Sequence, residues 1–261
     1  MKNVSTPSIS SFSIIKGSLI EETYAAFQSW DLSQSKSENL RHIREQNRVG
    51  AKSSSWLQDI TRCIGCRFEP EGKDRSLVIL AQKGCEREVW KPILLWHRAQ
   101  NEFLVRDFLT EWLYQRYREG RYRLRTEDVV LYIKGLSKRK DIQPPPSWTE
   151  STIARVSSGL LRMAVDFGLM AGKVTREFIS YPLPEHSFLY LLHAMSEVER
   201  SPRGVIESSD WHLYLMGCVD VERELLRLHQ FHKLRYDVAG SIVELALPCD
   251  SSVDYVRTVL V

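Results

Sequence analysis

The chain contains no run of about 18 uncharged apolar residues, the length that carries a helix across a bilayer. Its best apolar stretches are short, such as Phe188–Met195, and charges bracket them. No membrane-spanning helix is expected. Cysteine is scarce: five among 261 residues, an odd number, which argues against a disulfide framework and for reduced thiols in a cytoplasm. Low-complexity tracts are absent. The one stretch that reads as unstructured, Met1 to Phe12, is Ser/Thr-rich and lacks the apolar core of a signal peptide.

Catalytic signatures are missing as well. No serine sits in a nucleophile elbow. Val49–Ser54 (VGAKSS) has only the tail of a phosphate loop, without its first glycine, its Gly-Lys pair or a preceding strand. Cys63 and Cys66 form a lone CxxC; a structural zinc site needs a second pair, and Cys85, Cys218 and Cys249 are isolated. At helical spacing the pair reads as two small buried residues. His229 and His232 lack a third ligand, and Asp107 and Glu111 have nothing beside them to make a metal pair. The expectation is no enzyme, no cofactor, no metal and no small-molecule substrate.

What is present is segregated charge. The net charge is only +3, yet Lys36 to Arg67 holds seven Lys/Arg against three Asp/Glu, and Arg116 to Arg162 holds eleven against five. Met163 to Val261 is acidic, with nine against fourteen. Basic clusters on a nearly neutral chain are the footprint of a polyanion binder.

Hydrophobic periodicity predicts a mainly α chain. Helices are expected at Ser18–Trp30, Lys36–Val49, from the Ser53–Ser55 cluster through Ile64, at Arg75–Leu80, and across Glu86–Glu119 as one or two helices with Pro92 near a start. The second and third, joined by a turn at Gly50, make a helix-turn-helix outline. A further helix spans Thr126–Leu136. A basic, proline-stiffened loop follows, and then a helix from Ser147, whose spacing to Glu150 is that of a capping box. A strand at Val174–Tyr181 completes the plan of a winged helix. The C-terminal third repeats the outline, with helices at Leu189–Val198, Asp210–Met216 and Val219–His232 and a hairpin of Leu234–Val238 with Ile242–Leu247. The domain reading is a disordered 1–16, a helix-turn-helix module over 17–84, a winged-helix-like module over 85–184, and a helical module with a β-hairpin over 185–261.

Two surfaces carry the expected nucleic-acid contacts. One comprises Arg41, Arg44, Arg48, Lys52, Ser53, Ser54 and Ser55. The other comprises Lys138, Arg139, Lys140, Ser151, Arg155, Ser158 and Arg162. Guanidinium and hydroxyl groups at a helix start and along its outer face reach phosphate oxygens and base edges.

The segments EETYAAFQSW, EQNRVGAKSSSWLQDITRCIGCRF, VRDFLTEWLYQRY and PPPSWTESTIARVSSGLLRMAVDFGLM, in that order across roughly residues 18–195, resemble the BrxA family. That resemblance implies an accessory protein of bacterial BREX phage-defence systems: helical, binding double-stranded DNA, and meeting other BREX proteins. The family is also likened to NusB antitermination factors, which implies RNA binding as an alternative; a protein-interaction scaffold is the other.

Overall fold

The computed structural model describes residues 9–139, 142, 147–240 and 242–259. In chain order the elements are α1 (Ser11–Ile15), α2 (Ile20–Gln28), α3 (Lys36–Gln46), α4 (Ser54–Arg67), α5 (Arg75–Gln82) and α6 (Arg87–Asn101). Next, α7 (Phe103–Asp107) runs through a π-helical stretch, Phe108–Leu113, into α8 (Tyr114–Arg118). Then come β1 (Arg123–Leu124), α9 (Thr126–Leu136), α10 (Glu150–Asp166), β2 (Met170–Ala171) and β3 (Arg176–Phe178). The chain closes with α11 (Glu185–Ser196), α12 (Pro202–Ile206), a 3-10 turn (Ser209–Tyr214), α13 (Cys218–Gln230), β4 (Arg235–Ala239), β5 (Ile242–Ala246) and α14 (Ser252–Thr258). The fold is mainly α with two small antiparallel sheets, as the periodicity predicts.

Two compact units share the chain, and neither is one continuous stretch. The first comprises residues 1–19 and 98–181; the second comprises 20–97 and 182–261.

In the first unit, α9 and α10 pack against each other and a three-stranded sheet of order β1-β3-β2 lies beside them. Val156, Leu160, Leu161, Met163 and Ala164 of α10 are buried. Each of the larger of these contributes about 1.5–3 kcal/mol relative to exposure. Thr149, not Ser147, caps α10: its Oγ1 accepts from the Thr152 amide at 3.3 Å. The Glu150 carboxylate turns instead to Lys134, 2.9 Å away. Gly168 ends the helix at φ +84, where L side chains are strained. Strand β3 is only three residues long and pairs with a short β2 that periodicity did not reveal. Gly172 makes the turn between them possible. Its φ is +108, and a Cβ there would lie 2.2 Å from the Thr175 carbonyl oxygen.

Helix α1 falls inside the stretch expected to be disordered; residues 1–8 lie outside the described residues. Ile14 of α1 is buried where α10 carries Gly159, whose missing side chain leaves room for the Ile14 carbonyl. The neighbouring Ser13 hydroxyl donates to Glu102. One buried isoleucine is enough to seat the helix when the partner surface is notched.

In the second unit, α3 begins with a capping box made by Ser35 and Glu38 and stops at Asn47, which is left-handed at φ 45. Helix α4 follows, capped by Ser53. The Leu40 side chain comes so close to Gly65 that a Cβ there would meet it at 2.9 Å, so glycine sets how closely the two helices approach. Pro92 sits inside α6 rather than near its start. The expected helix at Asp210–Met216 is a 3-10 turn. The polar core of this unit is a buried chain. His97 Nδ1 donates to Asp74 at 2.6 Å, and the Tyr190 hydroxyl donates to His97 Nε2 at 2.7 Å. Burial holds the Tyr190 hydroxyl well above its ordinary pKa, so it keeps the proton it donates.

Candidate nucleic-acid interface

The outer face of α10 carries a stripe. Ser151, Arg155, Ser158 and Arg162 follow one another at steps of four, three and four, so they lie on one side of the helix. The stripe is about 16 Å long at 1.5 Å per residue. Ser151, Arg155 and Arg162 are exposed and Ser158 is half-buried. Among the described residues no carboxylate pairs with Arg155 or Arg162. The only acid in the first turn, Glu150, is held by Lys134. Beside the stripe, the β2–β3 turn presents Lys173 and Val174, the latter 79% exposed.

The loop before α10 contributes differently than expected. Lys138 is exposed. Lys140 lies outside the described residues. Arg139 is drawn inward: its Nη1 reaches the buried Asp107 carboxylate at 2.5 Å. The other oxygen of Asp107 accepts from the Tyr132 hydroxyl at 2.6 Å. Burial first, and the Asp107 charge second, hold the Tyr132 hydroxyl protonated far above its ordinary range. Asp107 therefore serves a structural ion pair, and its spacing to Glu111 has no part in it. Replacing Arg139 by alanine leaves that buried carboxylate short of a partner and should cost about 1–3 kcal/mol. Thermal denaturation of the Arg139→Ala and Lys138→Ala chains checks this. The first should melt several degrees lower and the second should match the parent.

In the second unit the turn between α3 and α4 is braced by Asn47, whose amide donates to the Ala51 carbonyl at 2.9 Å and accepts from its amide at 2.8 Å. Lys52, Ser53, Ser54 and Ser55 are exposed at the start of α4, and Ser53 is occupied as the cap. The arginines here are partly engaged. Arg41 pairs with Glu45 at 3.4 Å, Arg44 Nε donates to the Leu40 carbonyl at 3.2 Å, and Arg48 Nε donates to Gln46 at 2.6 Å.

The remaining motifs resolve into structure. Cys63 is buried but Cys66 is exposed, so the expectation of two buried thiols holds for only one. His229 Nδ1 accepts from the Tyr236 amide at 3.1 Å, fixing α13 to β4. Among the described residues no cluster of three or more His, Cys, Asp or Glu is placed to hold a metal. Among them also, no helix is long and apolar enough to cross a membrane. One buried charge escaped the sequence reading. Arg176 of β3 is 7% exposed, and its Nε has no hydrogen-bond partner.

These features define a class: a mainly helical protein in which a basic, hydroxyl-bearing helix stands beside a short antiparallel sheet. The chain matches the BrxA family model over residues 11–194, and it belongs to the BrxA family. Membership fits a BREX-associated protein. No curated protein matches the chain. Among solved structures, one described as an uncharacterized protein from Magnetospirillum magneticum is similar with a TM-score of 0.63 and 18% identity. That similarity covers 80% of this chain and all of the other, and at that identity it is a likeness of fold.

Proposed function

We propose that this chain is a non-enzymatic, cytoplasmic, double-stranded DNA-binding accessory protein of a BREX phage-defence system. One observation carries the reading. The order β1, α9, α10, β2, β3 with strand order β1-β3-β2 is the plan of a winged helix, and the outward face of α10 is the Ser/Arg stripe. In such a unit the second helix of the pair enters the major groove and the wing meets the backbone. The stripe offers phosphate contacts more plainly than base-reading pairs, so weak sequence preference is expected. Most of the aromatic rings are buried, which favours duplex over single-stranded RNA and its need for stacking platforms.

Gel-shift titrations of the full chain with duplex DNA, single-stranded DNA and RNA at several salt concentrations test this. Duplex affinity should be highest, with a log–log salt slope of about −0.9 per phosphate contact. A flat salt response, or no duplex shift at low salt, sinks the reading.

A second role has its own support. In the acidic second unit, Leu226, Phe231, Val238 and Ile242 are each more than half exposed. Apolar exposure of that kind suits contact with another protein of the defence system.

A further inference from the structure

The segment Arg116–Arg125 closes α8 and leads through β1, and it holds five arginines and two tyrosines against one acid, Glu119. None of these residues belongs to the two surfaces expected from the sequence. Most rings of the chain are buried, but Tyr122 is 75% exposed. Tyr117 is exposed too, its ring 5.3 Å from that of Phe178 on β3. Four of the five arginines are exposed and Arg116 is half-buried.

Beside this segment the first unit has two clefts, and Arg121 lines both. The first is about 480 Å³ and is lined by the rings of Trp112 and Tyr132 and by Leu131, itself 75% exposed. Trp112 comes from the π-helical stretch, a local distortion common at functional sites. Phe108 backs it, the two rings stacked 5.4 Å apart. Arg116 places its guanidinium 5.6 Å from the centre of the Trp112 ring, and its Nε is buried with no hydrogen-bond partner. The second cleft is about 640 Å³ and is lined by Arg121, Tyr122, Arg123, Glu177 and Phe178. Cations outnumber acids in both linings, even with Arg139 of the first committed to Asp107. Arg121 pairs with Asp128 at 3.9 Å and Arg123 with Glu177 at 2.8 Å, but a guanidinium carries five donors and can add a phosphate without leaving its carboxylate.

We infer that the two clefts form a binding site for single-stranded DNA, with bases stacking on the rings of Trp112 and Tyr122 and backbone phosphate on the shared Arg121. Aromatic faces interleaved with guanidinium groups are the chemistry that takes unpaired nucleotides. An acidic peptide would use the arginines and leave the rings idle. A duplex keeps its base faces stacked on one another, so it cannot use the rings either. The occupant is DNA rather than RNA, because both lining carboxylates are engaged by arginines and Asp128 also accepts from the Arg125 amide at 2.8 Å. Neither is free to accept from a ribose 2′-hydroxyl.

Fluorescence anisotropy of the full chain tests this, with labelled oligo(dT) of about 15 nucleotides, oligo(rU) of the same length and a duplex as probes. Tyr122→Ala should weaken oligo(dT) binding about tenfold, the share of one stacked base, and Tyr122→Phe should match the parent. Leu131→Glu sets a carboxylate at the first cleft and should weaken it similarly. Both positions are exposed, so the variants should fold, and melting curves check that. Losses at both positions with rescue by phenylalanine support the site. Oligo(dT) binding that neither change alters, or no oligo(dT) binding at low salt, overturns it. Tighter binding of oligo(rU) than of oligo(dT) overturns DNA as the occupant. Arg155→Ala with Arg162→Ala should lower duplex affinity and spare oligo(dT); an equal loss of both overturns a site separate from the α10 face. If the parent chain binds no duplex, the functional reading fails, and the oligo(dT) titration still decides whether the clefts bind a single strand.

Discussion

Replacing Arg155 and Arg162 together by alanine should weaken duplex binding about a hundredfold at low salt, roughly 1.4 kcal/mol for each lost contact. The salt slope should fall by about one per phosphate released, so the variant and the parent converge as salt rises. Both side chains are exposed on α10, and neither has an ion pair among the described residues. Folding should therefore survive, within about 0.5 kcal/mol. Circular dichroism and a melting curve of the double variant verify that. Arg203→Ala with Arg223→Ala is the matched control, since both side chains are exposed in the acidic unit and paired, with Glu207 at 2.9 Å and with Asp220 at 3.1 Å. Equal loss in the control and the α10 variant would mean that only net charge is being sensed and that the helix face has no special standing.

The largest stability effect is expected at Asp74. Its carboxylate takes the His97 Nδ1 hydrogen at 2.6 Å and the Glu69 amide hydrogen at 2.6 Å, wholly buried. Asp74→Ala removes both bonds and leaves His97 Nδ1 and the Glu69 amide without their acceptor. A cost of about 3–5 kcal/mol follows, or a melting point lower by roughly 10 °C. Acid should reveal the same carboxylate. Burial alone raises the Asp74 pKa, but the hydrogen bonds from His97 and from the Glu69 amide outweigh it and hold the group below its ordinary value. A carboxylate depressed in the folded state contributes stability above its unfolded pKa, near 4, and loses it as pH falls through the folded value. The parent should thus lose stability steeply below about pH 4, and Asp74→Ala should lose less there. Parallel curves for the two proteins would place the acid sensitivity elsewhere.

Much of the helical plan was legible because it depends on local signals. Helix α9 has the bounds that periodicity assigns, and α3 and α4 start at their Ser caps. The turn between them was marked by Gly50 and Asn47, both of which take positive φ. The Ser/Arg stripe of α10 was readable for the same reason, since its spacing is a property of one helix. Features that depend on partners distant in the chain were not legible. Ser11–Ile15 is too short to be read as a helix; its stability comes from the notch at Gly159. Strand β2 has two residues and no alternation to detect. Arg139 looks like a loop cation until Asp107, 32 positions earlier, claims it. Arg176 sits in a short run beside Glu177, and only the folded chain shows that it is buried with its Nε unbonded.

The interleaving of the two units bears on synthesis. Residues 20–97 leave the ribosome well before 182–261, yet they share one core. Several ties across that gap are specific: Ser187 Oγ to the Val89 carbonyl at 2.8 Å, Trp96 Nε1 to Asp210 at 2.8 Å, and Lys83 Nζ to the Val256 carbonyl at 3.1 Å. Until those later residues are made, α5 lacks its partner α14 and the Pro92 carbonyl lacks the Tyr214 hydroxyl. Residues 98–181 are complete far sooner and supply nearly all of their own unit. At about 5–20 residues per second, the first part of the split unit waits roughly 8–33 seconds for the rest of its unit, with apolar surface uncovered. The nascent chain thus passes through a stage in which the first unit has folded while the second still exposes apolar surface, the kind of intermediate that chaperones hold.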